Sequence, residues 1–403
     1  MQQHQPGAPV IEAAGETRRG GRQRRLVVAA ALAVLLAIAV GAAWYFVVGA
    51  TQLRDYGARR ELADLGITVA RDEESGGNRI VFPQGARQST LRAALPHLEE
   101  IGNVKQLSLV DCEISDLSPI ASLSELQWLD ISGSQVVDLG PLAGLSGLRV
   151  LDLSATAISD LGPLQGTPKL RWLNLSQTQV AELGQLSSLQ ALRVLYLSGT
   201  PIADIAPLSS MEALEELDLS DTGIASLDPL AGLTSLKVLV LANAPVTDLA
   251  PLSGLADLTA LDVSGTKVQD FRLLARLGQL RVIDLGRTAI ADLTPIGRLG
   301  ELRMLLLTGT QAADLAPLAS LNALEWLSLS ETPVSDLTPL TELSALLTVD
   351  LSRTQVTDLA PLHGHGGLES LDLSAAPVPP EAVTALQQSL TRAEGSEVRI
   401  IYP

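Results

Sequence analysis

The stretch Leu324–Ala345, LEWLSLSETPVSDLTPLTELSA, is one full copy of a pattern that recurs every 22 residues, thirteen times between Val104 and Val378, without insertion or deletion. Its general form is L-x-x-L-x-L-S-x-T-x-I-x-D-L-x-P-L-x-x-L-x-x, with Leu324 as position 1. Positions 4 and 6 are aliphatic in every copy, from Leu107/Leu109 and Leu129/Ile131 to Val349/Leu351 and Leu371/Leu373. This period of two predicts a short strand with those side chains inward and positions 3, 5 and 7 outward. Positions 11, 14 and 17 are also apolar and turn the rest of the coil inward. The apolar side chains of one such unit do not offset the entropy of ordering it, so the units must stack and share a core. The predicted fold is an α/β-type solenoid. It is a curved arc with a parallel β-sheet on its concave face and short helical or 3-10 turns on its convex face, preceded by a transmembrane helix.

Two columns of the repeat are read as structural. Thr occupies position 9 in nine units, from Thr156 to Thr354, where a hydroxyl can bond the turn backbone of its own or the next coil. Cys112 and Ser134 hold the same position in the first two units, which makes Cys112 a small packing residue. Asp is usual at position 13, with Pro three residues later, a pattern that fits a capped turn opening a short helical segment.

Outside the repeats, Leu26 to Val48 is a run of 23 residues without a charge, long enough to cross a hydrocarbon core of about 30 Å. Arg18, Arg19, Arg22, Arg24 and Arg25 precede it, whereas Arg54, Arg59 and Arg60 beyond it are interleaved with acids. The positive flank predicts a cytoplasmic N terminus, with the repeats periplasmic or extracellular at the inner or plasma membrane. The alternative, a cleaved signal peptide, has a shorter apolar run. The expected organisation is a basic cytoplasmic tail (1–25), a transmembrane helix (26–48), a juxtamembrane helix and N-terminal cap (49–103), the solenoid (104–378) and a C-terminal cap (379–403). Within the caps the sequence predicts a helix over Thr51–Leu65, a strand near Arg79–Phe82, a helix near Ser89–Ile101, a helix from Pro380 to about Arg392 and a strand over Val398–Tyr402.

The net charge is −17, and because five Arg and two Glu give the first 25 residues +3, the remainder carries −20. Nucleic acid and anionic lipid are poor partners for such a surface. No glycine-rich phosphate loop, nucleophile elbow or zinc-protease helix motif occurs, so the chain is expected to be non-catalytic, with no cofactor and no metal. His363 and His365 in the twelfth unit offer a two-His metal site, and with it an enzyme, only as a minor alternative.

The repeat resembles the internalin-type leucine-rich repeats of bacterial surface proteins, which share the 22-residue period and the D-L-x-P-L segment. Thr replaces the family's usual Asn at position 9, no immunoglobulin-like cap follows the repeats and no cell-wall sorting signal closes the chain. The resemblance implies a curved recognition scaffold, and adhesion to host cells does not carry over.

Recognition is therefore expected on the outward strand positions. Three of the four Trp in the chain, Trp128, Trp172 and Trp326, stand at position 3, where Val150, Val194 and Met304 continue an apolar stripe. Position 5 carries Asp130, Asp152, Asn174 and Tyr196, then further Asp at 218, 262, 284, 350 and 372. Adjacent carboxylates there repel by about 0.9 kcal/mol in water. These Asp are read first as solvated partners of the position-2 arginines, Arg171 among them, and second as recognition of a basic partner. Trp172 and Tyr196 are diagonal neighbours on adjacent strands and centre the expected protein-binding site, with Asp152 and Arg171 at its rim. The competing reading is an envelope glycan or peptidoglycan binder that stacks sugars on Trp128, Trp172 and Tyr196.

Overall fold

The computed structural model describes residues 56–73, 75–390 and 398–402. The apolar run 26–48 lies outside these residues, and among them no helix is long and apolar enough to cross a membrane. They form a curved solenoid built on one sheet of sixteen strands in chain order. Every strand pair is parallel except the first, Thr68–Arg71 against Asn78–Val81. From Val104–Ser108 onward each repeat adds one strand in strict register, so that Leu173 meets Leu195 and Leu195 meets Leu217.

Positions 4 and 6 point into the core and are fully or almost fully buried throughout. After the strand the chain turns sharply at position 8, which has positive φ in all thirteen units. Only four of these residues are Gly (Gly133, Gly199, Gly265 and Gly309), and the others include Ala155, Asp221, Arg287 and Glu331. A left-handed residue costs about 1–2 kcal/mol when it carries a Cβ, so other bonds must hold the turn. The Thr at position 9 supplies one of them: the Thr200 hydroxyl donates to the Leu197 carbonyl at 2.6 Å and Thr354 to Leu351 at 2.6 Å. The bond is made within the same coil in each case.

A 3-10 turn follows the strand in twelve units, from Ser118–Ser122 to Ala360–Leu362. The position-13 Asp accepts the N–H of the first residue of that turn, as from Gly162 to Asp160 at 2.9 Å and from Ala316 to Asp314 at 2.8 Å. The carboxylate satisfies an amide that the turn itself leaves without an acceptor. In the last unit this position is Pro380, and an α-helix, Pro380–Ser389, takes the place of the 3-10 turn.

The ends differ from expectation in detail. The first helix spans Tyr56–Asp64, and residues 51–55 lie outside the described set. The strand Thr68–Arg71 was not expected, because its four residues are half-buried or exposed and show no clear alternation. Helix Gln88–Ile101 buries Leu91, Ala94 and Leu98 against the first repeats. Asn78 ties this cap together: its side chain donates to the Gly102 carbonyl at 2.8 Å and accepts from Arg59 at 3.0 Å. At the far end, helix Pro380–Ser389 is shorter than the predicted run to about Arg392. Strand Arg399–Ile401 pairs with Ser370–Asp372, and the Tyr402 hydroxyl donates to the Val378 carbonyl at 2.7 Å.

Candidate functional site

Register places the outward residues in two columns on the concave face. The position-3 column runs Trp128, Val150, Trp172, Val194 and Glu216, and continues to Met304 and Trp326. The position-5 column runs Asp130, Asp152, Asn174, Tyr196 and Asp218. Trp172 and Tyr196 are in contact across the ladder, with ring centroids 5.6 Å apart and planes at 89°. This edge-to-face arrangement is a favourable geometry for two aromatic rings. The two rings therefore do not form one flat platform, and Val150 separates Trp128 from Trp172.

The predicted residues divide into two patches. Trp128 to Tyr196 occupy units two to five, whereas Met304 and Trp326 lie opposite each other in units ten and eleven. The stripe is less exposed than the sequence reading held. Val150, Trp172, Val194, Met304 and Trp326 are half-buried, and Ala260 and Val282 are buried, because flanking side chains on a parallel sheet cover a short residue.

The position-5 acids overturn their first reading as solvated partners of arginine. Asp130 and Asp152 are half-buried and turn back on their own strand ends. The Asp152 Oδ1 accepts from the Ser154 N–H at 2.9 Å and from its hydroxyl at 2.6 Å, and Asp130 binds Ser132 in the same way at 3.0 and 2.6 Å. Asn174 accepts from the Ser176 N–H at 3.0 Å and donates to Asp152 at 3.2 Å. These bonds brace the left-handed turn that follows, so this acidic column has a structural role. Three of the position-2 cations pair within their own column instead: Glu215 holds Arg193 at 2.8 Å and Lys237 at 2.7 Å, and Arg303 holds Glu325 at 2.7 Å. Arg171 is exposed at the rim.

One residue of the site was missed. Glu216 is the single charged residue at position 3 in the thirteen repeats, a signal present in the sequence. It is only 7% exposed, and the Tyr196 hydroxyl donates to its Oε2 at 3.1 Å. Burial raises the Glu216 carboxyl above the usual carboxylate range, and the Tyr196 bond opposes that shift. The Tyr196 phenol is itself pushed well above its ordinary value, by burial first and then by the neighbouring Glu216 charge. Asp218, across the ladder from Tyr196, is raised by burial as well. Trp172, Tyr196 and Glu216 thus form a bonded run that spans three strands.

The remaining candidates are occupied structurally. Cys112 is buried, with its thiol 3.5 Å from the Val110 carbonyl, and burial raises its pKa. His365 is buried in a Leu position with Nε2 3.0 Å from the Leu340 carbonyl, and His363 is exposed. Among the described residues no three His, Cys, Asp or Glu side chains come together in a way that would hold a metal ion.

Residues 168–210 and 212–256 match the family described as Leucine Rich repeats (2 copies), and residues 124–180 match Leucine rich repeat. No curated protein matches the chain. Among solved structures, it is similar to an internalin (inlF) of Listeria monocytogenes at 27% identity and a TM-score of 0.67, covering 79% of this chain and 94% of that one. It also matches a leucine-rich-repeat protein of Leptospira interrogans at 20% identity and a TM-score of 0.66, covering 76% of this chain and 86% of that one. The ectodomain of a plant membrane receptor kinase from Arabidopsis thaliana, solved in complex with Casparian strip integrity factor 2, shares the fold at 16% identity and a TM-score of 0.57. That match covers 75% of this chain and 42% of the receptor ectodomain.

Proposed function

Since the chain is a leucine-rich-repeat protein with structural likeness to Listeria internalins, we propose that it is a membrane-anchored, non-catalytic scaffold that binds a protein partner on its concave face. The run 26–48 is the anchor, with the N terminus in the cytoplasm and the repeats on the far side of the inner or plasma membrane. The observation that carries the reading is the Trp172–Tyr196 contact, two aromatic rings that meet across adjacent strands of the concave face. Large, partly buried aromatics ringed by polar groups are where interface energy concentrates. The half-buried Val150, Val194 and Asn174 surround the pair, and Asp152 and Arg171 mark its edge.

Site-specific photo-crosslinking tests this. A benzophenone side chain at position 196 of the full-length protein, illuminated in its native envelope, should yield one dominant protein adduct by mass spectrometry. The same group at Ala231, exposed beyond a 3-10 turn, should not. Adducts only from position 231, or none to protein from either site, would refute a concave protein-binding face.

A further inference from the structure

The bond between Tyr196 and Glu216 restricts what can cover the aromatic pair. A partner that packs on Trp172 and Tyr196 also closes over Glu216, whose carboxylate is 3.1 Å from the Tyr196 hydroxyl. Glu216 is flanked in register by Val194 and Val238, and Asp218 by Tyr196 and Val240, so apolar and aromatic neighbours already take much of the water from both carboxylates. Two cations of the adjoining strands are held by another acid. Arg193 and Lys237 both bind Glu215, the residue before Glu216, and Lys237 acts on the Glu216 charge only as the smallest of its influences. Complete burial of a carboxylate without a cation is strongly unfavourable, and an anionic or purely apolar partner would impose that cost. A guanidinium or ammonium relieves it. Its alkyl stem can lie along Val238 and Val240 while the charge meets the two carboxylates beside an aromatic ring.

We infer that the partner is a basic protein segment that inserts an Arg or Lys side chain between Tyr196, Glu216 and Asp218, with Trp172 as the outer wall of the site. This rests on the concave-face reading above and adds the chemistry of the partner. The net charge of −17 favours the encounter at long range, and the buried carboxylates fix where the cation ends.

The test is calorimetry on the full-length protein with two acetylated, amidated peptides of one length, an arginine–serine repeat and its citrulline–serine counterpart. Citrulline keeps the shape of arginine and removes the charge. The arginine peptide should bind at least about tenfold more tightly than the citrulline peptide, and less tightly as salt is raised. Glu216→Gln and Asp218→Asn should each weaken the arginine peptide by about tenfold while leaving the citrulline peptide unchanged. Both substitutions keep an oxygen for the existing hydrogen bonds, so thermal melts should match the wild type or exceed it. Glu342→Gln, at an exposed acid on the opposite side, should have no effect.

Equal affinities for the two peptides, no binding of either, or an equal loss in Glu342→Gln would overturn the inference. So would spermidine binding as tightly as the arginine peptide, because that would assign the site to small polycations. Protein adducts at position 196 together with equal peptide affinities would leave the scaffold standing and remove only the cation. Adducts confined to position 231 would remove the scaffold reading itself.

Discussion

Asp262 and Asp284 stand opposite each other in register on adjacent strands of the concave face, at 5% and 7% exposure. Each accepts a single backbone N–H, from Ser264 and Gly286 respectively, at 2.8 Å. Val240 and Leu306 close the row on either side. Burial is the main force raising both carboxyls well above the usual range, Asp262 adds to the shift of Asp284, and Arg287 only partly opposes it. Two carboxylates on neighbouring strands cannot both ionise cheaply in such surroundings, so the pair retains protons that the unfolded chain would release.

The pair sets a direction for stability against pH. A carboxyl that ionises less readily when folded contributes fully below its unfolded value of about 4, and that contribution is lost as pH rises through the raised values. Asp284→Asn removes one charge and keeps the turn bond, as Asn174 does at the same repeat position with Ser176 at 3.0 Å. Thermal melts should show little difference from the wild type at pH about 4 and a more stable variant at neutral pH, by about 1 kcal/mol or more. A variant advantage that shrinks as pH rises would show that the pair is ionised in the fold.

Leu217 is 1% exposed in the sixth unit, between Leu195 and Leu239 in the ladder. Leu217→Asp buries an unpaired carboxylate and should cost about 4 kcal/mol or more. Because each unit leans on its neighbours, circular dichroism should show an early loss that begins in the centre of the array.

Trp172→Ala and Tyr196→Ala should each weaken the partner crosslinked at position 196 by about 2 kcal/mol and leave the fold intact, since both side chains lie outside the core. Tyr196→Phe separates ring from hydroxyl. It keeps the ring contact with Trp172 and loses only the bond to Glu216, so titration calorimetry should place it between wild type and Tyr196→Ala.

A Cβ on Gly265 would lie 2.5 Å from the Asn243 Oδ1 and would stand on a residue with φ of +68°. Asn243 would have to move and weaken its 2.8 Å bond to Asp221. Gly265→Ala should therefore lower stability by about 1–2 kcal/mol in denaturant titration. Ala155 tolerates the same conformation, so a substitution there to Ser should have a smaller effect.

Protease added to spheroplasts should degrade the repeats and spare the arginine-rich tail. Intact repeats with a digested N terminus would reverse the proposed orientation.

The solenoid was legible from the sequence because its signal is local and repeated. An aliphatic pair at positions 4 and 6 has one way to be buried, and thirteen copies remove the ambiguity that a short apolar run has alone. The diagonal meeting of Trp172 and Tyr196 followed from the same register arithmetic. The left-handed turn at position 8 was hidden, because Gly marks it in only four units, and in others, such as those of Ala155, Gln177 and Arg287, bonds from positions 5 and 9 support the conformation instead. The state of the acids was hidden for a related reason. Whether an outward Asp is solvated or half-buried depends on which side chains flank it two strands at a time, and on whether its oxygen finds the backbone of its own turn. Glu216 had a sequence signal as the one acid in its column, but its meaning came only from the fold: Tyr196, twenty residues earlier, reaches across a strand boundary to donate a hydrogen bond to it. Repetition specifies the coil, and side chains from neighbouring coils decide what each exposed position can do.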